Sequence, residues 1–202
     1  MEKIVIGIDP GSLGFLSCVM PNGNIEFKPI SGSSVDELNK TLCNWINKAS
    51  VYEWGIIAVM EQVHAIFGSS AKATFSFGEI FGLLKGLIMA NNIPYHLVQP
   101  KEWQSTMWIN SDIVATIKEV KTAKGIVKRK EINTKKTSIN AAKRLFPSVD
   151  FRRNERCKKI DDNKVDSLLI AEYGRRKNLY TISKKEFYEK ESNIQLLLCL
   201  LG

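Results

Sequence analysis

Little in the sequence marks a secreted, zinc-binding or membrane protein. Its four cysteines, Cys18, Cys43, Cys157 and Cys199, lie far apart and lack the close spacing of metal ligands, which favours reduced thiols inside a cell. No charged-then-apolar signal opens the chain, and no run approaches the roughly 20 apolar residues that a membrane span needs. We therefore expect a cytoplasmic protein with no membrane partner.

The length and apolar content suit one globular domain. With 202 residues, 44% of them hydrophobic, the chain can bury a sizeable core. We predict that this domain covers residues 1–178 and that residues 179–202 form a C-terminal tail. The tail contains an apolar run at 194–201, too short to cross a bilayer, which we expect to dock on the domain or on a partner subunit.

Positive charge is concentrated in the second half of the chain. The formal net charge is +8, and two basic clusters lie at 118–136 and 143–159, the second directly before a group of aspartates. Cations beside an acidic site can hold a polyanion that the site would otherwise repel, as an enzyme that cuts phosphodiesters requires. The alternative is a solvated, soluble face.

Two carboxylates each end a continuous apolar run. Asp9 follows residues 4–8, and Glu61 follows residues 56–60. Short apolar runs of this kind are typical of strands buried on both faces, and ligands collect at the carboxyl ends of such strands. Three further acids, Asp161, Asp162 and Asp166, lie near the C-terminus. Together these residues predict an acidic metal site.

The remaining pattern predicts alternating strands and helices. Strands are expected at 3–8, 15–20, 25–28 and 95–98, and a further strand is expected to end at Glu61. Helices are expected at 68–89, 137–146 and 162–176, and two more are expected to begin at Ser34 and at Pro100. Residues 110–134 are polar and basic and predict an insertion loop or arm. Glycines at every fourth position, Gly78, Gly82 and Gly86, predict a helix face that another backbone can approach closely.

This order of elements is the layout of the ribonuclease H-like fold, an α/β fold with a mixed five-stranded sheet flanked by helices. Residues 7–12 (GIDPGS), 60–63 (MEQV), 98–101 (VQPK) with 103–104 (WQ), and 166–171 (DSLLIA) resemble landmarks of RuvC-type Holliday junction resolvases. Residues 146–147 (FP), 150–151 (DF), 156–159 (RCKK) and 171–176 (AEYGRR) resemble the phage-encoded or prophage-encoded branch. The resemblance covers roughly residues 3–177 and leaves the tail unexplained.

The resemblance implies a Mg²⁺-dependent endonuclease that nicks two opposed strands of a four-way DNA junction as a homodimer, in the host cytoplasm if phage-encoded. Two Mg²⁺ ions, for which Mn²⁺ is an expected substitute, would be held by Asp9, Glu61, Asp166 and Asp162. Bacterial members space the two helix acids three apart, which here places Asn163 opposite Asp166. The third carboxylate therefore stays open between Asp162 and Asp161.

The resemblance also suggests residues that meet the DNA. Lys101 resembles a family lysine near the scissile phosphate, although an ordinary first-turn lysine is the alternative. His64 stands where bacterial members can carry a stacking aromatic, and Phe67 is a second candidate for stacking. The predicted DNA-binding set is Phe67, His64, Lys72, Lys128, Arg129, Lys130, Arg153, Arg156, Lys158 and Lys159.

Other classes fit less of the sequence. Residues 9–12 also resemble the first phosphate loop of the sugar kinase, actin and heat-shock ATPase superfamily, but that class needs two such domains and a second acidic-glycine loop. A nuclease for branched DNA generally, or for RNA·DNA hybrids, is the main alternative, since an acidic site fixes the chemistry and not the substrate. A non-catalytic nucleic-acid-binding protein is the third reading.

Overall fold

The computed structural model describes residues 2–62, 70–122 and 125–179, with backbone only at 118–122 and 125–129. The strands are β1 Lys3–Asp9, β2 Phe15–Val19, β3 Ile25–Pro29, β4 Gly55–Glu61, β5 Tyr95–Val98, β6 Ala115–Thr122 and β7 Gly125–Ile132. The helices are α1 Val35–Val51, α2 Ala71–Ala90, α3 Pro100–Met107, α4 Thr134–Leu145 and α5 Asp162–Arg176. The predicted tail lies outside the described residues from 180 onward.

The first five strands form one mixed sheet in the order β3-β2-β1-β4-β5. The strands β1, β2 and β3 pair antiparallel, as a meander. The other two pairings, β1 with β4 and β4 with β5, are parallel. A five-stranded mixed sheet in this order, with helices on both faces, is the ribonuclease H-like fold, so the predicted fold class is confirmed.

Burial on both faces explains the apolar runs of β1 and β4. Ile4, Ile6 and Ile8 pack with buried residues of α1 and α2 on one face of the sheet. Val5 lies on the opposite face, within a second cluster that contains buried residues of α3, α4 and α5. Neither strand has a polar face because neither face meets water.

Small residues let α5 pack very close to the middle of the sheet. A Cβ atom added to Gly7 would lie 2.1 Å from the carbonyl oxygen of Ser167 on α5. A Cβ at Gly174, near the end of that helix, would lie 2.6 Å from Val59 Cγ2. The hydroxyls of Ser17 and Ser167 also share a hydrogen bond of 2.5 Å. This close approach brings the start of α5, with its aspartates, to the carboxyl end of β1.

We predict that Gly7→Ala destabilises the fold strongly, because the added methyl group meets backbone atoms of α5 that cannot move independently. The expected loss in free energy of unfolding is about 2 kcal/mol or more, measured by urea denaturation. Gly82→Ala, compared at a protein concentration low enough for the chain to be monomeric, is the matched control, since nothing described lies within 4 Å of a Cβ at that position. Equal stability of the two variants would contradict the packing described.

The segment predicted as an insertion loop or arm contains regular structure that the sequence analysis did not specify. It contains a 3-10 turn at Asn110–Asp112 and an antiparallel hairpin formed by β6 and β7. The β-branched residues Ile117, Val120 and Ile126 give the hairpin its strand propensity, which the many lysines obscure in the sequence. Helix α4 also begins earlier than predicted, because the Asn133 side chain caps it by accepting from Lys136 N at 3.0 Å.

Helix α2 leaves its predicted glycine face open and corrects one other expectation. Within the described part of the chain, nothing lies within 4 Å of a Cβ built at Gly78, Gly82 or Gly86, so no described backbone covers the face. The helix is also long and apolar enough to cross a membrane by length and composition, with a mean hydropathy of 1.3 over its best window. A single such helix is weak evidence of a membrane span, but the expectation that no segment approaches that length was wrong.

Candidate active site

The sheet places Asp9 and Glu61 side by side. Both residues end parallel neighbouring strands, and the register pairs Ile8 of β1 with Met60 of β4 immediately before them. Helix α5 crosses the same end of the sheet and contributes Asp162 and Asp166 from its first turns. One acidic site thus forms where the carboxyl ends of β1 and β4 meet the start of α5. This is the end of the sheet at which the sequence predicts the site.

Asp9 is the most strongly perturbed of these carboxyl groups. Its pKa is raised to about 8, first by burial and then by the charges of Asp166, Glu61 and Asp162, while a hydrogen bond from the Gly11 backbone opposes the rise. Each of the other three carboxylates therefore lies close enough to repel a charge on Asp9. A buried acid surrounded by acids favours either a proton or a bound cation.

Asp166 is a second buried acid with a raised pKa, and one of its oxygens is unpaired. Burial raises the pKa of Asp166 to about 7, whereas a hydrogen bond with the Ser138 side chain of α4 lowers it. Its Oδ1 atom is buried and has no hydrogen-bond partner in the described structure. Buried polar atoms are seldom left unpaired, so an unpartnered carboxylate oxygen points to a missing ligand.

Glu61 is held in place by a residue whose role the sequence did not indicate. The indole Nε1 of Trp103, on α3, donates to Glu61 Oε1 at 2.8 Å. Trp103 is only 1% exposed, so the bond is shielded from water and fixes the carboxylate. Burial raises the pKa of Glu61, and the bond from Trp103 lowers it. Trp103 belongs to the motif at 98–104 that resembles the resolvase family, but that motif did not predict the bond between Trp103 and Glu61.

Asp161 and Asp162 have different surroundings. Asp161 caps α5 by accepting from Asn163 N at 3.1 Å, and it also accepts from Arg153 Nε at 2.5 Å. Asp162 is ion-paired with Lys135, a contact that sequence reasoning missed, and its charge contributes to the raised pKa values of Asp9 and Asp166. The geometry therefore favours Asp162 over Asp161 as the further carboxylate of the site.

The chemistry of the site fits a hard divalent cation. Asp9, Glu61, Asp162 and Asp166 offer only carboxylate oxygens, which Mg²⁺ prefers, and Asp166 Oδ1 has no other partner. No group of three or more His, Cys, Asp or Glu side chains in the described ranges is arranged, as it stands, to hold a metal ion. A cation would have to draw the carboxylates closer together, and in doing so would offset their mutual repulsion.

The predicted DNA-contacting residues fall into different environments. Lys101 lies exposed in the first turn of α3, and Lys72, Lys130, Arg156, Lys158 and Lys159 are also exposed. Lys128 and Arg129 lie on β7, where only the backbone is described, and His64 and Phe67 lie outside the described residues. All the exposed members remain available to a polyanion.

Arg153 has a structural role that its charge did not reveal. Besides its bond to Asp161, its Nη1 donates to Ser31 Oγ at 2.7 Å and its Nη2 donates to the Leu13 carbonyl at 2.6 Å. The guanidinium also lies over the Phe15 ring, 4.8 Å from its centroid. These contacts tie the loop before α5 to the loops after β1 and after β3, so Arg153 positions the acidic site.

No family model and no curated protein matches this sequence. Among solved structures, the chain is similar to RuvC of Thermus thermophilus in complex with a Holliday junction substrate, with a TM-score of 0.46, 11% identity, and coverage of 87% of this chain and 96% of the other. A second structure of Thermus thermophilus RuvC gives a TM-score of 0.42, 13% identity, and coverage of 87% and 96%.

A third similar structure is the yeast mitochondrial Holliday junction resolvase Ydc2. Its TM-score is 0.43 at 15% identity, and the match covers 87% of this chain and 78% of Ydc2. At these identities and TM-scores, the function of this chain has to be inferred from its own residues.

Proposed function

We propose that this protein is a Mg²⁺-dependent, structure-specific endonuclease that cuts four-way DNA junctions with paired nicks, as a RuvC-type resolvase of the phage-like branch. The observation that carries the proposal is the meeting of Asp9, Glu61, Asp162 and Asp166 at one end of the sheet, with a buried, unpartnered oxygen on Asp166. The motifs that resemble this family contain three of the four carboxylates. Exposed cations beside the site suit a polyanionic substrate.

Each residue has a distinct part in the proposed reaction. Mg²⁺ held by the four carboxylates would activate water and stabilise the leaving oxygen of the phosphodiester. Trp103 fixes the orientation of Glu61, and Ser138 does the same for Asp166. Lys101 supplies a positive charge to the phosphate from the first turn of α3, where its side chain is exposed to solvent.

The substrate is tested with a denaturing gel. Labelled four-way junction, linear duplex of the same sequence and RNA·DNA hybrid are each incubated with the protein and Mg²⁺. We expect paired nicks in the junction and at most slow cutting of the other two substrates. Equal cutting of duplex or hybrid would favour the broader nuclease, and binding without Mg²⁺-dependent cutting would favour a non-catalytic binding protein.

Paired nicks need two active sites, and α2 offers a surface for a second copy of the chain. Phe75 is 75% exposed and Met89 is 42% exposed, although the helix is strongly apolar. The open face at Gly78, Gly82 and Gly86 would allow a second helix to approach closely. Exposed apolar surface of this kind is typical of a protein interface.

We predict that Phe75→Glu weakens this dimer, because it places a charge in the apolar face of α2. The expected effect is a dimer dissociation constant raised at least about tenfold. Sedimentation equilibrium should show wild type at twice the 22.8 kDa chain mass and the variant shifted towards the monomer. Val51→Glu, at a residue 76% exposed on α1, is the matched control and should leave the mass unchanged. Equal masses for the two variants would exclude α2 as the interface.

A further inference from the structure

The β6–β7 hairpin forms a sheet of its own. Within the described residues its strands pair with each other, from Ala115 opposite Ile132 to Thr122 opposite Gly125, and neither joins the five-stranded sheet. Ile117 is 71% exposed and Ile132 is 41% exposed, so even apolar positions near the base are not covered. An isolated two-stranded hairpin is marginally stable in water, so a partner that binds this hairpin would also stabilise it.

The sequence of the hairpin is strongly basic. Residues 115–132 contain six lysines or arginines and two glutamates, which gives a net charge of +4. The backbone register places Lys118 directly opposite Arg129. Like charges in opposed positions destabilise a hairpin. A polyanion beside the hairpin would remove this repulsion, whereas a basic or neutral partner would not.

The base of the hairpin is anchored beside the acidic site. Asn133 N donates to the Val114 carbonyl at 2.8 Å, and Val114 N donates to Thr137 Oγ1 of α4 at 3.1 Å. Helix α4 carries Lys135 and Ser138, the partners of Asp162 and Asp166. The base of the hairpin is therefore bonded to α4, the helix that contacts the carboxylates.

An ion pair with a buried aspartate fixes the turn that precedes the hairpin. Asp112 is 2% exposed and accepts from Arg144 Nη2 at 2.7 Å, while Arg144 Nη2 also donates to the Met107 carbonyl at 2.9 Å. Asn140 adds a bond from its amide to the Asp112 carbonyl at 3.0 Å. Both ends of the hairpin are thus tied to α4, so the direction in which the hairpin leaves the domain is set by the fold.

We propose that the β6–β7 hairpin is a DNA-binding arm that lies along the phosphate backbone of one duplex arm leading away from the cleavage site. This inference rests on the proposed nuclease function and adds a dedicated surface for double-stranded DNA, bound through its phosphates without reading sequence. Eight residues of extended strand span about 26 Å, or about eight phosphates of one strand at 3.4 Å each. The arm thus reaches well beyond the reacting phosphate.

The test measures binding separately from cutting. Fluorescence anisotropy gives Kd for labelled junctions with 20-bp or 8-bp arms, with Mg²⁺ and 50–200 mM KCl, using protein that carries Asp9→Asn throughout. The hairpin variant is Lys118→Thr with Arg129→Thr. The matched control removes the same charge from Lys40 and Lys177, both exposed on helical segments away from the hairpin, by substitution with glutamine.

The hairpin variant is expected to raise Kd at least about tenfold on 20-bp arms at 100 mM KCl, and to reduce the slope of log K against log salt by about 2. On 8-bp arms the loss should be smaller, because less duplex lies alongside the hairpin. The control should change neither quantity beyond about twofold. A second variant, in which an Asn-Gly turn replaces residues 116–131, should match the double substitution in Kd and in arm-length dependence.

Equal behaviour of hairpin and control variants would overturn the arm, as would a loss that does not depend on arm length. If the hairpin instead binds an acidic protein, both hairpin variants should bind DNA with the same Kd as the control. The two proposals fail separately: wild-type protein that never cuts a junction removes the nuclease but leaves the binding data valid. A hairpin without effect on Kd removes the arm but leaves the nuclease.

Discussion

Replacing Asp9 with asparagine is expected to reduce junction cleavage at least about a hundredfold while DNA binding is retained. Asparagine preserves the shape of the side chain and removes the charge that would bind the cation. Binding should persist, or tighten slightly, because the variant carries less negative charge where the phosphate lies. The measurement is single-turnover cleavage of a labelled junction at saturating protein, with Kd measured in parallel.

Asp161 and Asp162 provide a matched comparison. Asp162→Asn is expected to reduce cleavage in the same way as Asp9→Asn, because Asp162 acts electrostatically on both Asp9 and Asp166. Asp161→Asn should reduce the rate much less than Asp162→Asn, because asparagine can still cap α5 although it loses the bond from Arg153. The opposite ranking would assign the further carboxylate to Asp161 and contradict the site described here.

Without Mg²⁺, the free energy of unfolding is expected to fall as the pH rises from 5 to 9. Folding raises the pKa of Asp9 from 3.8 to about 8 and that of Asp166 from 3.8 to about 7. The folded state therefore holds protons that the unfolded chain releases. Their stabilising effect is complete below about pH 4 and is lost as the pH rises through 7 and 8. Because each pKa unit corresponds to about 1.4 kcal/mol, the loss amounts to several kcal/mol.

Urea denaturation at pH 5, 7 and 9, with EDTA or with Mg²⁺, measures this dependence. Mg²⁺ should restore stability at pH 9, because a cation stabilises the ionised carboxylates that the proton has left. Asp9→Asn should be more stable than wild type at pH 9 without metal, because it removes one of the clustered charges. If the free energy of unfolding of wild type fell with pH no more than that of Asp9→Asn, the clustering of these acids would be contradicted. The same holds if Mg²⁺ did not change the stability of wild type at pH 9.

The elements that the sequence predicted correctly are those specified by local pattern. The runs before Asp9 and Glu61 form strands because both faces of the sheet are covered. The helix predicted from Ser34 begins with a capping box, in which Ser34 N donates to Glu37 Oε2 at 2.8 Å and Glu37 N donates to Ser34 Oγ at 3.2 Å. Such signals lie within a few residues of each other and can be read without knowledge of the tertiary structure.

The contacts that complete the site were not predictable in this way. Trp103 reaches Glu61 from another element, and Lys135 and Ser138 reach the α5 aspartates from α4. These pairs are set by how the helices pack across the sheet, and no local pattern encodes them. The charge of Arg153 suggested a DNA contact, which stays a prediction, but it gave no sign that the guanidinium joins its own loop to two others.

The most direct test of the central proposal is cleavage of a supercoiled plasmid that carries an extruded cruciform, followed over time with Mg²⁺. A dimer that cuts two opposed strands during one encounter converts the plasmid to linear DNA from the earliest time points. The proposed function predicts this result for wild type and its loss in Asp9→Asn. Nicked circles that accumulate first would contradict paired cutting, and an unchanged plasmid under conditions where the protein binds the junction would contradict the nuclease.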